Sequence, residues 1–361
     1  MRLTATTFER GGSCIRSSDP FIASPSAGVS GLHIAAFGFI SLVLAEQANL
    51  PMRETNQKLG SNILRDMAVD LYQAAAFMAA NARLLDRRRL QLLIGEANHG
   101  PVLEALEGYR NPDGGYGWGL EPDLRSPESQ PGGALHAFEV FEEIGPATSP
   151  HAVQLCDWLA TVSLSDGGVP FSFALTDDAG CAPFWTHADH SISSLHITAA
   201  VAAAAHRVAT NDSAVAQHEW LTKATEYCLT KVRELDDSPH PIALAFVIGF
   251  LDAAHDTHRE AATLLRNLSQ YIPASGRLRV EGGLENEMMR PLDFAPTPGR
   301  PARAFFSAQA ISAELHWLTT QQQADGGWVV DFASYSPAAA LEWRGYMTVR
   351  ALSILQRNIG I

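Results

Sequence analysis

The sequence predicts an all-α protein assembled from repeated helical hairpins. Three observations carry that expectation. Apolar residues recur at steps of three and four through most of residues 70–357. No run alternates apolar and polar residues as a half-buried strand does. A glycine-pair turn recurs between the helical stretches. The composition agrees: 361 residues with 46% hydrophobic and 18% charged content are enough for a packed core in one large domain or two ordinary ones.

The elements follow in order. Asp70 to Ile94 carries Leu71, Ala75, Met78, Ala82, Leu85 and Leu92 as one stripe, with Arg87, Arg88 and Arg89 as a solvated face. Pro101 to Tyr109 is a short helix, and Pro131 to Ile144 is the next. Ser149 caps a helix that has Pro150 at its first position and runs to Val162. Ser191 to Ala209 is apolar on nearly every side and is expected to be buried all round. Ala214 to Glu234 is amphipathic, and Ile242 to Ala254 is again apolar on most faces. Glu260 to Tyr271, Ala304 to Gln322 and Pro337 to Arg357 bring the total to about ten helices. Four Pro between Pro291 and Pro301 predict an extended strap there.

The turns read NPDGGYGW from Asn111, LSDGGVPF from Leu164, RVEGGL from Arg279 and QADGGWVV from Gln323. Their first glycines are Gly114, Gly167, Gly282 and Gly326. With a degenerate turn at Leu235 to Ser238, the spacing is about 45–70 residues, the size of one hairpin with its loops. Gly supplies the positive φ that ends a helix at low cost, and Asp fixes the turn through its own backbone. An aromatic residue after the pair (Tyr116, Trp118, Trp328) is placed to cover a helix end. Hairpins with buried helices inside and amphipathic helices outside close most simply into a ring, an (α/α) barrel or toroid.

Residues 67–361 are assigned to this domain and residues 1–66 to an N-terminal extension outside the fold. Val29 to Ala45 is an uncharged run interrupted only by His33, shorter than the roughly 20 residues of a spanning helix. Three readings stay open for it: a segment with no role, a contact with a membrane surface, or an export signal.

Several function classes are excluded. The formal charge is −13, and no Lys/Arg block is present, so nucleic-acid binding has no electrostatic basis. The four Cys (Cys14, Cys156, Cys181, Cys228) have no paired spacing, which argues against a disulfide framework or zinc ribbon and favours a reducing, cytoplasmic compartment. Neither a phosphate-binding glycine loop nor a GxSxG elbow occurs.

The Gln-rich helix end followed by Asp325-Gly326-Gly327-Trp328, with the similar copy at 111–118 and a weaker one at 164–171, resembles the repeat of the terpenoid cyclase and protein prenyltransferase α–α toroid superfamily. The resemblance spans residues 70–357. It implies an (α/α) barrel, an apolar central cavity and an isoprenoid substrate. The sequence departs from the family where the family does its chemistry. It has no DxDD, only Glu234-Leu235-Asp236-Asp237, and no DDxxD. It has no Asp-x-Cys, so zinc prenyltransferase activity is not expected, and no metal or cofactor is assigned.

Candidate site residues fall in four places. Glu121 and Asp123, flanking Pro122, form a close carboxylate pair of the kind that raises one pKa and leaves a proton donor; Arg125 is the simplest ion-pair partner for them. Trp185, His187 and Asp189 precede the apolar helix, where Asp189 is either a catalytic acid or a helix cap. Arg290, Asp293 and Phe294 lie in the proline-rich strap, and Arg290, Asp293 and Arg300 are placed to meet a polar head group. Trp343 and Arg344 open the last helix beside Glu342, where an ion pair across the ring is as reasonable as a catalytic role. Trp118, Trp185, Phe294 and Trp343 offer π-faces.

The expected function is an enzyme of terpene-cyclase-like type. It would cyclise or isomerise an apolar, isoprenoid substrate by protonation from Asp123, Glu121 or Asp189 in an apolar cavity. The alternative is a non-catalytic toroid that binds a lipid or a protein partner. A third reading is a carbohydrate-active (α/α) barrel with a carboxylate pair.

Overall fold

The computed structural model describes residues 69–235 and 239–361. The predicted extension, its run at 29–45 and the turn at Asp236 to Ser238 lie outside the described residues.

The described chain is all-α. Its helices are α1 (Leu71–Asn81), α2 (Leu84–Leu93), α3 (Gly100–Leu106), α4 (Pro131–Glu143), α5 (Pro150–Val162), α6 (Pro183–Thr186) and α7 (Leu195–Ala209). They continue with α8 (Ser213–Ala216), α9 (Glu219–Arg233), α10 (Pro241–Ala254), α11 (Arg259–Leu268), α12 (Pro291–Phe294), α13 (Ala308–Thr320) and α14 (Pro337–Ile359). Two two-residue strands, β1 (Leu278–Arg279) and β2 (Met288–Met289), pair antiparallel.

The starts obey capping chemistry. Asp70 accepts from the Gln73 N–H at 2.9 Å, Ser149 from His151 at 3.3 Å and Ser336 from Ala339 at 3.0 Å. Pro opens α4, α5, α10, α12 and α14, where its missing N–H costs nothing.

Three expectations need correction. The helix predicted from Asp70 to Ile94 is two helices. Arg83 breaks it with an extended backbone (φ −56°, ψ 154°), and its guanidinium donates to the carbonyls of Gly119 and Leu120 at 3.1 and 2.9 Å. Neither Gly nor Pro marks that break. The apolar helix starts at Leu195 rather than Ser191, because Ser193 and Ser194 are taken up in backbone pairing with Pro170 and Val169. The proline-rich strap is not wholly extended; it holds α12 and a 3-10 turn at Pro301–Phe305.

Helix α7 lies between α4 and α10, and Ile197 through His206 are all buried. Outside, α9 packs on α7 and on α5. Onward, α10 packs on α12, α12 on α13, α13 on α14, and α14 on α1 and α2, while α2 packs on α4. Two apolar clusters result. The larger spans α3 through α11 and takes in Leu85 of α2 and Phe294 of α12, and the smaller joins α1, α2, α13 and α14 with Leu292 of α12.

The glycine-pair turns share one geometry. Gly114, Gly167 and Gly326 have φ of +92°, +89° and +94°. In each turn the residue three before the first glycine donates to the second glycine's carbonyl: Asn111 to Gly115, Leu164 to Gly168 and Gln323 to Gly327, at 2.8–2.9 Å. In each, an Asp (113, 166, 325) accepts from the second glycine's N–H. Each turn also docks on a helix in the same way. A Cβ on the first glycine would lie 3.1 Å from the Gln154 carbonyl oxygen, 2.7 Å from that of Lys223 or 2.1 Å from that of Gln73. A Cβ on the second would lie 2.7 Å from the ring of Trp158, Tyr227 or Phe77, four residues further along the same helix. The aromatic that covers the glycine pair therefore comes from a neighbouring helix, not from the turn itself. The turn at 111–118 sits on α5, that at 164–171 on α9, and that at 323–330 on α1. The turn containing Gly282 differs, with Glu287 over Gly283.

Candidate functional site

The loop that leaves the first glycine-pair turn carries the predicted carboxylates. Trp118 sits at positive φ (57°) and Gly119 follows at 71°, so the chain doubles back before Glu121. Arg83 holds the carbonyls of this loop, and Asn111 holds its far side through Pro127 and Ser129.

Glu121 and Asp123 are both buried. Glu121 Oε1 accepts from the Asp123 backbone N–H at 3.1 Å, and Oε2 lies 2.7 Å from His136 Nε2. Asp123 is 2% exposed, and both of its oxygens are occupied: Tyr335 N–H donates to one at 3.0 Å and Trp343 Nε1–H to the other at 2.7 Å. Burial pushes the Asp123 carboxyl up, opposed by those two hydrogen bonds. Arg125 is not their partner; its guanidinium is bidentate on Glu342, at 2.7 and 3.3 Å. The ion pair expected at Glu342 thus exists and ties this loop to α14.

His136, on the first turns of α4, bridges two carboxylates, with Glu139 Oε2 2.9 Å from its Nδ1. Burial alone would lower its pKa, but the Glu139 charge and the bonds to both carboxylates lift it to about 9. Burial would likewise raise Glu139, yet His136, Arg89 and Tyr346 bring it down to about 2. Tyr346 O–H donates to Glu139 at 2.9 Å, and the Arg89 guanidinium lies 5.1 Å from the Tyr346 ring while bonding Glu143 at 2.7 and 2.8 Å. Trp343 and Tyr346 meet the His136 ring edge-on, at 6.0 and 5.2 Å between centroids.

Beside this ionic group lies an aromatic one. A Cβ on Gly132 would meet Trp185 at 3.2 Å and Glu121 at 3.4 Å, so the bare glycine lets the indole approach the carboxylate. Trp185 is buried and stacks on Phe171 at 4.4 Å and 17°. Phe171 also faces His196, which in turn faces Phe246, at 5.2 and 5.0 Å. Phe184 touches Phe171, Trp185 and Tyr335, and Phe332 packs on Trp343. Burial among these rings, helped by His240, lowers His196 to about 4, so it is neutral at pH 7.

The remaining predicted residues lie elsewhere or do structural work. Asp189 is exposed and accepts from the Ser191 N–H and hydroxyl at 2.9 and 2.6 Å; it closes a local turn. His187 is exposed at the end of α6. Trp118 is 57% exposed and donates to Asn111 within its own turn. Arg290 stacks on Trp317 at 3.6 Å beside Glu314. Asp293 bonds the Arg290 N–H and the Arg350 guanidinium, and Phe294 is core. Arg300 is committed to Asp252 and Asp256. Arg344 pairs with Asp325 and lies over Phe77, so it clamps the last glycine-pair turn. Of the predicted set, Glu121, Asp123, Trp185 and Trp343 come together.

The residues missed are His136, Glu139, Tyr346, His196 and Phe246. A signal existed for two of them. His136 and Glu139 stand three apart on one face of a helix that opens Pro-Gly-Gly, and an acid and a base at that spacing meet. Among the described residues, no group of three or more His, Cys, Asp or Glu is arranged to hold a metal ion. No helix among them is long and apolar enough to cross a membrane. No family model matches the chain, and no curated protein matches it.

Proposed function

We propose that the domain is an α–α toroid that binds an apolar ligand of isoprenoid type, an alcohol in particular, within an aromatic rim. The ring reading is supported by the packing sequence that runs from α2 through α4, α7, α10, α12 and α13 to α14 and back to α2. It is supported too by the last glycine-pair turn docking on the first helix as the other two dock on α5 and α9.

The observation that carries the ligand class is the aromatic wall of Phe171, Trp185, Phe184 and Phe246, with one neutral imidazole, His196, set into it. That wall suits an apolar, unsaturated chain, and an uncharged imidazole suits a hydroxyl. A diphosphate head finds the rim guanidinium Arg125 already paired with Glu342. Binding is favoured over proton-initiated cyclisation because each oxygen of Asp123 and Glu121 is already taken.

The test is titration with farnesol and with farnesyl diphosphate, read by tryptophan fluorescence and by product analysis. Farnesol is expected to bind more tightly than the diphosphate and to be recovered unchanged. His196→Phe is expected to weaken it about tenfold, the value of one hydrogen bond of roughly 1–1.5 kcal/mol. Tighter binding of the diphosphate, or no binding of either, overturns the proposal. A product whose formation Asp123→Asn abolishes restores the cyclase reading.

A further inference from the structure

A second cluster of chemistry lies at the other end of α7, ten residues and roughly 15 Å along the helix from His196. There a cavity of about 170 Å³ opens between α7, α8, α9 and the turn after α10. It is lined by His206, Thr210, Thr222, Thr225, Asp256 and His258, with a few apolar side chains between them.

A threonine hydroxyl stands against one ring nitrogen of each histidine. The Thr225 hydroxyl donates to the Leu221 carbonyl at 2.6 Å, so at 2.9 Å from His206 Nε2 it accepts. His206 Nε2 therefore carries its hydrogen, and Nδ1 keeps a lone pair with no protein donor. The Thr257 hydroxyl lies 3.2 Å from the Ala254 carbonyl and 2.9 Å from His258 Nδ1; when it donates to the carbonyl it accepts from Nδ1, and His258 Nε2 then carries the lone pair. The two ring centroids are 5.7 Å apart, with the planes at 77°. Two imidazoles sharing one metal at the usual 2.0–2.1 Å have centroids roughly 5–6 Å apart.

We propose that His206 and His258 jointly ligate a borderline divalent cation of the Zn²⁺ class in this cavity. The spacing matches shared ligation. The second nitrogen of each ring donates to a threonine hydroxyl, the anchoring that orients a ligating imidazole. The C-terminal carbonyls of α7 and α10 give the cavity a negative field. The neighbouring guanidinium groups oppose it little, since Arg207 is paired with Glu142 and Arg300 with Asp252 and Asp256. Water completes the coordination, and the cavity has room for about five molecules at roughly 30 Å³ each. With two protein ligands the site is of modest affinity and exchanges its metal.

The test uses the full, untagged chain titrated with Zn²⁺ by calorimetry and with Co²⁺ by visible absorption. One ion per chain is expected, with a Co²⁺ ligand-field band. His258→Ala, a partly exposed position whose loss leaves the core intact, is expected to weaken binding at least tenfold and abolish the band. Thr225→Val is expected to weaken it a few-fold by freeing the His206 ring. The double variant His187→Ala/His190→Ala, on exposed surface, is expected to bind as the parent does. Absence of binding at millimolar metal, or an unchanged ion and band in His258→Ala, overturns the proposal.

Discussion

Two adjacent inner helices place a histidine near their N-terminal ends, and the two histidines meet opposite surroundings. On α4, His136 stands between Glu121 and Glu139 and is held charged. On α7, His196 stands between Phe171 and Phe246 and is held neutral. One residue type thus serves as a structural cation in one half of the site and as an uncharged polar group in the other. The difference teaches that on the α4 side the ionisable groups Glu121, His136 and Glu139 are satisfied by one another and by their neighbours. On the α7 side His196 has ring contacts alone, and in the proposed function it is the group that a ligand hydroxyl would meet.

The largest blow to this contrast is Glu139→Ala. It takes the acceptor from Tyr346 and one of the two carboxylates from the buried His136, and is expected to cost about 3–5 kcal/mol in urea unfolding. Loss of less than 1 kcal/mol would mean the network is ornamental.

Next is pH. His136 is raised from 6.5 to about 9, so its stabilisation is full below about pH 6.5 and is lost as pH rises through 9, by about 3 kcal/mol. His196 is depressed from 6.5 to about 4, so its contribution is full above pH 6.5 and is lost as pH falls through 4. Unfolding curves across that range are expected to show a maximum near neutrality. His136→Gln should flatten the alkaline slope and leave the acid one, and His196→Phe should reduce the acid slope, to which His206 and Glu139 also contribute, and leave the alkaline one; a common effect on both slopes would erase the distinction.

A smaller effect is expected on the α7 side from Ala204→Leu, at a position with no accessible surface. Overpacking there is expected to cost about 1–3 kcal/mol, measured as a drop in Tm, without changing the alkaline slope. Smallest is Gly249→Ala in α10. A Cβ there meets nothing within 4 Å, and glycine in mid-helix is unfavourable, so the change should stabilise by about 0.5–1 kcal/mol. Gly249 follows Phe246 on the same helical face. Gly249→Phe should therefore keep the fold yet weaken farnesol, which would place the ligand beside α10.

Much of the helical frame was legible before any coordinates. The Ser149-Pro150 start, the burial of α7 and the positive φ at the first glycine of each pair follow from local sterics and periodicity, which a single sequence displays. The break at Arg83 was not legible, since the side chain that stabilises it finds its acceptors about 36 residues away. Nor was the docking of Phe77, Trp158 and Tyr227 on the glycine pairs, which is a long-range contact. Within the site the carboxylates were found and their partners were not. Nothing near Asp123 in sequence says that Trp343 will bond it, and nothing near Asp189 says that it stays outside. His196 hid in an apolar helix, where a histidine reads as filler until the rings around it are seen.

The docking of the Gln323–Trp328 turn on α1 also orders events at the ribosome. Asp70 and Gln322 are hydrogen-bonded across 252 residues of chain, and Gln356 reaches back to Leu93. Ala74, Phe77 and Met78 of α1 therefore lack most of their apolar partners until α13 and α14 are made, whereas Leu85 of α2 packs in the larger cluster. The middle of the domain, α3 to α11 with Leu85 of α2, shares the larger cluster and can condense during synthesis. Among the described elements α1 thus waits longest for its partners, and a nascent chain halted before α13 leaves its apolar face unburied.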